Sequence, residues 1–497
     1  MSRTEVINAL GPHGGGGEVA AGPGAGAGAE PTADSAEAPA ADSGAAATGE
    51  SPAAANGAAG NAASAGPSPA AGAAGAARSA APSAGTATGG AAAPGGPTPA
   101  GATAKAAAGT PATPAAGKSE ASPGSAPVPG SPTAGTGSTV VLGNIGTYSG
   151  APGASVGTGR RMVQVVAKWI NTHGGLNGHP MRVIVADDGG DPSRSLALAK
   201  DMVENQHAIA FFSNLTEVTR AAIDPYLNQK GVPSIGVGGA NSVDCASTAI
   251  FMAFPCLDVL GAGDAAFAVA AGKPKLAVIY CGEVDPCRYW RTGFHSDAAK
   301  KSGADIVYET QASLGQPDFT SECLQAQNKG AQAVALGGDA SYVQRAARSC
   351  VQQGFKPLFL TASLALTADL SQDPAVDGIV SPVGSFPWML NDLPGERDYH
   401  AALQRYDPGL VEGGTTSAVW ANGALLQAAG ATLPANPTPA DLLAGLYANR
   451  AGNLAGLVPS SLSFTKGQPS PKTSCFFAVQ LHSGTWGSPT GSKPRCL

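Results

Sequence analysis

Aromatic side chains are missing from the first 138 of the 497 residues. The 13 phenylalanines, nine tyrosines and five tryptophans all lie between Tyr148 and Trp486. The same N-terminal stretch has no cysteine and consists mainly of alanine, glycine, proline and serine. Such a composition offers too little apolar surface to offset the entropy that is lost when a backbone becomes ordered. We therefore predict a disordered spacer over residues 1–138 and a folded part over residues 139–497.

Basic clusters and long apolar runs are also absent. The net charge is −6, and no run of lysines and arginines occurs. Binding to nucleic acid requires a concentrated positive surface, so the sequence excludes this class of partner. A membrane-spanning helix needs about 18 or more apolar residues in succession, and no such stretch exists. The sequence therefore predicts a protein without a membrane span.

Catalytic and cofactor motifs are missing from the folded part. It contains no GxxxxGK[ST] phosphate loop and no HExxH, and the histidines are scattered. The segment Asp187-Asp188-Gly-Gly-Asp191 could be a calcium loop, but it lacks the remaining ligands of that motif. A turn at a strand end, with Asp191 capping the next helix, is the favoured interpretation. We expect no catalytic residue, no cofactor and no metal, so the protein is predicted not to be an enzyme.

Eight cysteines all lie in the folded part. An even number without CxxC favours disulfides and an oxidising compartment, with reduced thiols or a metal site as alternatives. Many pairings are possible, and the one that joins neighbours in the sequence is favoured. It pairs Cys245 with Cys256, Cys281 with Cys287, Cys323 with Cys350, and Cys475 with Cys496.

The N-terminus shows neither the apolar core of a signal peptide nor a lipobox cysteine. A start further upstream, an unconventional export route and a cytosolic location all remain open on this point. Because of the cysteines, an extracytoplasmic location is expected.

Beyond Thr139, apolar strand patterns alternate with helical patterns. Helices are predicted to begin near Met162, Arg194, Glu217, Tyr289, Phe319 and Ala340 and to end before the next strand. Strands are predicted over residues 140–145, 181–187, 208–212, 232–237, 276–280, 306–308, 333–336 and 358–360. Nearly continuous apolar strands that alternate with helices indicate parallel sheets covered on both faces.

The alternation occurs twice, so we predict an α/β fold with two Rossmann-like lobes and a hinge. The first lobe is placed at about 139–255 with a return near 386–460, and the second at about 256–385 with the C-terminal strands. Residues 250–255 would connect the lobes. Ligands bind such sheets at the carboxyl ends of the strands, which here would face a cleft between the lobes.

Several motifs together resemble one family. They are Ile145-Gly-Thr-Tyr-Ser-Gly150, Trp169-Ile-Asn-Thr-His-Gly-Gly-Leu-Asn-Gly178 and the Asp187-Asp188 segment with Asp191-Pro192, followed by Gly231-Val-Pro-Ser-Ile235, Gln316-Pro-Asp-Phe-Thr320 and Gln353-Gly-Phe-Lys-Pro357. In this order they resemble the type I periplasmic binding proteins of the leucine/isoleucine/valine-binding group, which supply ABC importers. The resemblance implies a monomer that closes on a small polar solute, an amino acid or an amide-like compound, and hands it to ABC permease subunits. A ligand-sensing receptor on the same fold is the alternative.

Candidate ligand-binding residues follow the strands. The resemblance places Thr216, Glu217, Gly238 and Ala240 at the solute, and Ala240 stands where the family commonly has threonine. The resemblance also places Tyr289 as an aromatic contact across the cleft. The other candidates, at strand ends, are Tyr148, Ser149, Asp339 and Ser363. Glu217 favours a positive group on the solute, whereas amides and a hydroxyl at the start of a helix favour a carboxylate. Each candidate could instead be a cap, a turn or a surface residue.

Overall fold

The computed structural model describes residues 136–448 and 452–497. The predicted spacer lies outside the described residues, except for its last three. Of these, Gly137 donates its amide hydrogen to the carbonyl oxygen of Gly178 at 2.8 Å, and the Ser138 hydroxyl donates to the Ala435 carbonyl at 3.0 Å. The folded part therefore begins at Gly137, slightly before the predicted boundary at Thr139.

The described residues form thirteen strands. They are β1 (Val140–Gly146), β2 (Met181–Asp187), β3 (Ala210–Asn214), β4 (Ser234–Val237), β5 (Ile250–Phe251), β6 (Lys275–Tyr280), β7 (Asp305–Gln311), β8 (Ala333–Gly337), β9 (Leu358–Thr361), β10 (Val380–Val383), β11 (Cys475–His482), β12 (Thr485–Gly487) and β13 (Arg495–Cys496).

Thirteen α-helices lie within the same described ranges. They are α1 (Gly150–Thr172), α2 (Pro192–Glu204), α3 (Arg220–Lys230), α4 (Ser242–Ala246), α5 (Leu257–Ala270), α6 (Asp285–Thr292), α7 (Asp297–Ser302), α8 (Thr320–Asn328), α9 (Ala340–Gln352), α10 (Ala368–Ser371), α11 (Pro394–Tyr406), α12 (Gly414–Ala429) and α13 (Pro439–Ala448). None of them is long and apolar enough to cross a membrane.

Two sheets confirm the predicted α/β class with two lobes. The first has the strand order β2-β1-β3-β4-β5, and all its pairs are parallel. The second has the order β12-β11-β10-β9-β8-β6-β7, with β13 beside β11. Its pairs from β10 to β7 are parallel, whereas β11 pairs antiparallel with β10, β12 and β13.

The chain crosses between the two sheets more than once. Strand β5 ends the first sheet, and α5 then leads to β6 in the second. After β10, helices α11 and α12 both pack against α1, and α12 also packs against β3 and β4. The C-terminal strand β11 then returns to the second sheet. Because several connections share the space between the lobes, one buried apolar cluster includes residues of both.

Strands β3 and β4 carry a matched irregularity just before their carboxyl ends. Ser213 has φ 51° and Gly236 has φ 79°, both in the left-handed region. A Cβ on Gly236 would overlap the side chain of Asn422 from α12. The Asn422 amide donates to the Ser213 hydroxyl at 3.0 Å and to the Val237 carbonyl at 2.9 Å. This bond pair holds the two strand ends and so fixes the direction of the loops that follow them.

The region predicted as one helix from Tyr289 to Lys301 is divided in the structure. Helix α6 begins earlier, at Asp285, with Pro286 in its first turn. Backbone amides in the first turn have no partner within the helix, so a proline without an amide hydrogen is tolerated there. It gives way to a short 3-10 turn over Gly293–His295, and α7 then begins with Ser296 as its N-cap. The Ser296 hydroxyl accepts from the amide of Ala299 at 3.2 Å. A serine within an apparently helical pattern here begins a new helix.

Four disulfides join the cysteines in the pairing that sequence order favours. The Cα atoms are 6.2 Å apart in Cys245–Cys256, 5.4 Å in Cys281–Cys287, 5.0 Å in Cys323–Cys350 and 4.0 Å in Cys475–Cys496. The third pair links α8 to α9, which pack side by side. No free cysteine remains in the described ranges, which contain all eight.

Candidate functional site

A cavity of about 150 Å³ lies between the two lobes, beside the carboxyl ends of both parallel sheets. Its wall on the first lobe consists of Thr147, Val156, Leu215, Glu217 and Val218. Thr147 follows β1, and the residues from Leu215 to Val218 follow β3, beyond the irregularity at Ser213. The fold therefore delivers an apolar surface with one carboxyl group from this side.

The second lobe supplies a wall that is also mainly apolar. Val284, Pro286 and Trp290 come from the loop after β6 and from α6, and Leu314 follows β7. The remaining lining residues are Leu257, Cys287, Gly337, Gly338, Asp339 and Ala362. Cys287 belongs to the disulfide with Cys281, so this bridge shapes one edge of the cavity.

Glu217 is the unusual group in this wall. Both of its carboxylate oxygens are buried and make no hydrogen bond of ordinary geometry with the described residues, although the backbone amides of Glu217 and Gly239 lie beside them. Burial raises the pKa of the carboxyl to about 7, although the nearby Arg220 acts in the opposite direction. A buried carboxyl without a partner is costly. The side chain lines the cavity, but its two oxygens are inaccessible from it, and Oε1 lies against Gly238.

A buried ion pair lies next to Glu217 and outside the cavity. Arg220 Nε is 2.9 Å from Asp244 Oδ1, and both side chains are almost completely buried. Arg220 also donates to the Asn214 carbonyl at 2.9 Å. Burial raises the pKa of Asp244 to about 6 against the opposing effect of Arg220. Arg220 is held by Asp244 and Asn214 and is not among the residues that line the cavity.

The Asp187-Asp188 segment forms the predicted turn. Asp188 is fully buried and accepts from the hydroxyls of Thr147 at 2.8 Å and Thr219 at 2.6 Å. Asp191 caps α2 by accepting from the amides of Ser193 and Arg194. The Thr147 hydroxyl, which lies at the cavity, is therefore already used within the first lobe.

Tyr148 and Ser149 lie beside the cavity without lining it. The Tyr148 ring folds back over Gly146, and its hydroxyl donates to Asn144 Oδ1 at 2.6 Å. Burial raises the pKa of this hydroxyl. Ser149 is exposed at the start of α1. Tyr148 therefore packs against the end of β1 and does not line the cavity.

The other candidates of the first lobe are divided between two places. Thr216 is fully buried, and its hydroxyl has no partner among the described residues. Gly238 and Ala240 line a second, much smaller cavity of about 20 Å³ together with Ser363. A Cβ on Gly238 would overlap Oε1 of Glu217 and the side chain of Leu215. Gly238 therefore leaves room for the Glu217 side chain in the cleft.

On the second lobe, the aromatic wall is Trp290 and not the neighbouring Tyr289. Tyr289 is partly buried against both adjoining cores, and burial raises the pKa of its hydroxyl. Trp290 is 1% exposed, and its indole nitrogen donates to Asp264 Oδ2 at 2.9 Å. The residues Gly337 and Gly338 at the end of β8 offered a sequence signal for this wall, since a Cβ on Gly337 would overlap the Trp290 ring.

Asp339 lines the cavity and also caps a helix. Its Oδ1 accepts from the Tyr342 amide at 2.8 Å and from the Ser341 hydroxyl at 2.7 Å. The start of α9 is therefore already neutralised by a carboxylate of the chain itself. Of the nine candidates, the cavity brings together Glu217 and Asp339.

One polar contact joins the lobes at the edge of the cleft. Asp285 Oδ2, at the start of α6, accepts from the Ser242 amide at 3.0 Å and from the Ser242 hydroxyl at 2.8 Å. Ser242 begins α4 after β4 in the first sheet. The contact therefore connects the start of one helix from each lobe.

Comparison with known protein families identifies a family that shares this two-lobed architecture. The family model described as periplasmic binding protein matches residues 139–485. A protein of Pseudomonas aeruginosa called amino acid binding protein is 25% identical over 263 residues, which cover 51% of this chain and 69% of that protein.

Solved structures share the fold. A fatty acid ABC transporter substrate-binding protein from Thermomonospora curvata superposes with a TM-score of 0.61 at 17% identity, covering 72% of this chain and 93% of that one. A branched chain amino acid ABC transporter protein from Thermus thermophilus, solved with bound valine, gives a TM-score of 0.62 at 17% identity, covering 72% and 97%.

Proposed function

The chain belongs to the type I periplasmic binding proteins of the leucine/isoleucine/valine-binding group, and on this premise we propose that it carries a small organic solute to an ABC importer. The observation that carries the proposal is the cavity between the lobes, to which the strand ends of both sheets contribute. Membership of a family of solute-binding proteins further supports a binding role without catalysis.

The mechanism we propose is closure of the lobes around the solute. A ligand that touches both walls binds the closed arrangement more tightly than an open one, so it shifts the population towards closure. Glu217 from the first lobe and Trp290 from the second would meet the same molecule. The closed pair of lobes is the form that permease subunits would recognise.

The location that fits this function is outside the cytoplasm. Four disulfides are stable where the environment is oxidising. The family name points in the same direction. We propose a secreted, cell-surface or periplasmic protein that acts as a monomer.

The bound compound is the first measurement that tests this function. Protein purified from its native host without denaturation should release one small organic compound when it is unfolded, and mass spectrometry identifies it. Adding that compound back to emptied protein should reduce the radius of gyration measured by small-angle X-ray scattering. Protein that releases no compound, and does not contract with any fraction of the growth medium, would contradict the proposal.

Uptake by cells separates transport from sensing. Deletion of the gene should abolish uptake of the identified compound, and re-expression of the parent protein should restore it. If uptake continues and a transcriptional response to the compound is lost instead, the protein is a receptor on the same fold.

A further inference from the structure

A buried carboxyl lies behind the second-lobe wall of the cavity. Asp264 stands in the middle of α5 and is completely buried, whereas the other buried residues of this helix are leucine, alanine, glycine and phenylalanine. Its Oδ2 accepts from the Trp290 indole nitrogen at 2.9 Å, and its Oδ1 has no hydrogen-bond partner among the described residues. A buried carboxyl with a single partner lowers stability, so stability alone does not account for an aspartate at this position.

No charged partner accompanies this carboxyl within the described ranges. Asp264 takes part in none of the ion pairs found there. Burial raises the pKa of Asp264 well above its usual range, and the bond from Trp290 acts in the opposite direction. The neutral acid is therefore favoured, and the Trp290 indole is the group that the carboxyl holds.

Packing and hydrogen bonding restrict Trp290 in different ways. A Cβ on Gly337 would overlap the indole ring, and a Cβ on Gly261 of α5 would overlap the Trp290 carbonyl oxygen. The Phe294 ring meets the indole edge-on, with the ring centroids 4.8 Å apart. These contacts limit where the ring lies. The bond to Asp264 selects the orientation in which the ring nitrogen faces α5, because a buried indole N–H without an acceptor is unfavourable.

The orientation of this ring affects the shape of the cavity. Trp290 has the largest side chain among the lining residues, and it lies in the wall beside Val284, Pro286 and Gly337. Van der Waals attraction falls steeply when a gap of less than 1 Å opens between two surfaces. A solute that packs on this wall therefore needs the indole to be held in one place before it binds.

We propose that Asp264 is a positioning residue of the cleft, which accepts the Trp290 N–H and thereby fixes the indole as the second-lobe wall for a solute. The inference rests on the proposed solute-binding function and deepens it. Asp264 is not among the residues that line the cavity, so it acts through Trp290.

Fluorine NMR of ligand-free protein labelled with 5-fluorotryptophan tests the positioning directly. The variant Trp290→Phe identifies the Trp290 signal among those of the five tryptophans. We expect Asp264→Ala, which removes the acceptor, to shift or broaden that signal. Asp264→Asn should leave the signal close to its parent position, because the amide oxygen accepts the same bond. An unchanged Trp290 signal in Asp264→Ala would overturn the proposal, and so would equal changes in the alanine and asparagine variants.

Benzyl alcohol is the probe for binding, because the apolar residues of both walls suit a small aromatic body. Calorimetry should show at least about ten-fold weaker binding to Asp264→Ala, and binding to Asp264→Asn within about three-fold of the parent. Asp373→Ala is the control, since Asp373 is another buried carboxylate of the second lobe, lies 2.7 Å from Arg348 and does not line the cavity. It should lose stability and keep its affinity. An equal loss of affinity in Asp373→Ala would attribute the effect to stability and contradict positioning.

A double-mutant cycle assigns the effect to the indole. Trp290→Phe keeps an aromatic ring and removes the N–H, so Asp264→Ala should weaken benzyl alcohol binding by less than about two-fold in that background. A ten-fold loss in both backgrounds would overturn the proposal, as would failure of benzyl alcohol to bind the parent at millimolar concentration. Circular dichroism would show that each variant is folded. The compound released from native protein decides independently whether the protein binds solutes, so the proposed function and the role of Asp264 can fail separately.

Discussion

At the scale of single residues, Glu217 determines much of the expected behaviour. The pKa of its carboxyl rises from 4.5 to about 7 because the group is buried. The folded ligand-free protein therefore holds this proton more tightly than the unfolded chain does. The stabilising effect is complete below about pH 4.5 and is lost as the pH rises through about 7.

We accordingly expect the stability of ligand-free protein to fall between about pH 5 and pH 8, and the fall to be smaller in Glu217→Gln. The difference between the two proteins should be about 2 kcal/mol, measured by urea denaturation at a series of pH values. The other carboxyls with a raised pKa in the described ranges are Asp244, Asp264 and Glu412. Asp264 and Glu412 affect both proteins equally, whereas Asp244 interacts electrostatically with Glu217, so part of the difference includes its response. Parallel pH profiles of parent and variant would show that Glu217 does not titrate in this range.

Gly238 is a second position where one residue controls the cavity. An added Cβ would overlap Glu217 Oε1 and the Leu215 side chain, so Gly238→Ala should displace the carboxyl. We expect a stability loss of about 1–3 kcal/mol together with weaker solute binding, measured by thermal unfolding and calorimetry. Gly157→Ala in α1 is the control, because nothing lies within 4 Å of its Cβ. That variant should be neutral or stabilised by about 0.5–1 kcal/mol, and an equal loss in both variants would contradict the steric explanation.

At the scale of elements, the contact between α4 and α6 connects the lobes. Asp285→Ala removes the acceptor for both donors of Ser242. We expect the variant to favour an open arrangement, with a larger radius of gyration without solute and a faster solute dissociation rate. Stopped-flow kinetics and small-angle X-ray scattering measure the two effects.

Asp297→Ala is the matched control for that experiment. Asp297 also stands in the first turn of a helix of the second lobe, but it is exposed and makes no contact with the first lobe that is described. Both substitutions remove a favourable charge from a helix start. If the two variants release solute at the same rate, the contact with Ser242 does not stabilise closure.

Two disulfides allow stability and binding to be separated. Cys281–Cys287 closes a six-residue separation at the cavity edge, and Cys323–Cys350 spans 27 residues away from the cavity lining. In the chain-entropy model the longer loop contributes about 1 kcal/mol more. Replacing both cysteines of one bridge by alanine should therefore lower the stability more for Cys323–Cys350 than for Cys281–Cys287. Only the replacement of Cys281–Cys287 should weaken solute binding. Thermal unfolding with calorimetry measures both, and the reverse pattern would contradict the role of the shorter loop at the cleft.

Several elements could be predicted from sequence because their signals are local. The strand over 181–187 and the capped start of α2 agree with the structure in position. Strand β3, expected over 208–212, lies at Ala210–Asn214. The side chains of Asn144 and Asn422 both donate to Ser213, and the Asn214 side chain accepts from the Ile145 amide of β1. A hydrogen bond from α12 is not visible in the local pattern of β3.

At the scale of the whole molecule, the N-terminal region is long, but its composition offers little apolar surface for folding. Its lack of aromatic residues predicts that residues 1–135 are not needed for folding or solute binding. A truncated protein that begins at Thr136 should show the same melting temperature and solute affinity as the full chain. Truncation at Val140 should lower the melting temperature slightly, because it removes the hydrogen bonds of Gly137 and Ser138. A loss of affinity in the protein that begins at Thr136 would contradict the prediction.

The sequence by itself determined the α/β class, the two lobes and the family. Each depends on patterns that recur along the chain, namely apolar periodicity, turn residues and ordered short motifs. The pairing of cysteines that are close in sequence also belongs here. Such features do not depend on contacts with distant parts of the chain.

Only the tertiary structure decided the character of the cleft. The sequence shows hydroxyls and amides after the strands, and the structure shows that Asp188, Asp285 and Asp339 accept hydrogen bonds from Thr147, Ser242 and Tyr342 within the chain. The resemblance to the family placed an aromatic contact at Tyr289, whereas the orientation of α6 turns Trp290 to the cavity. The burial that raises the pKa of Glu217 comes from segments distant in sequence. Whether a polar group is free or already paired depends on which neighbours folding brings to it, and no local pattern contains that information.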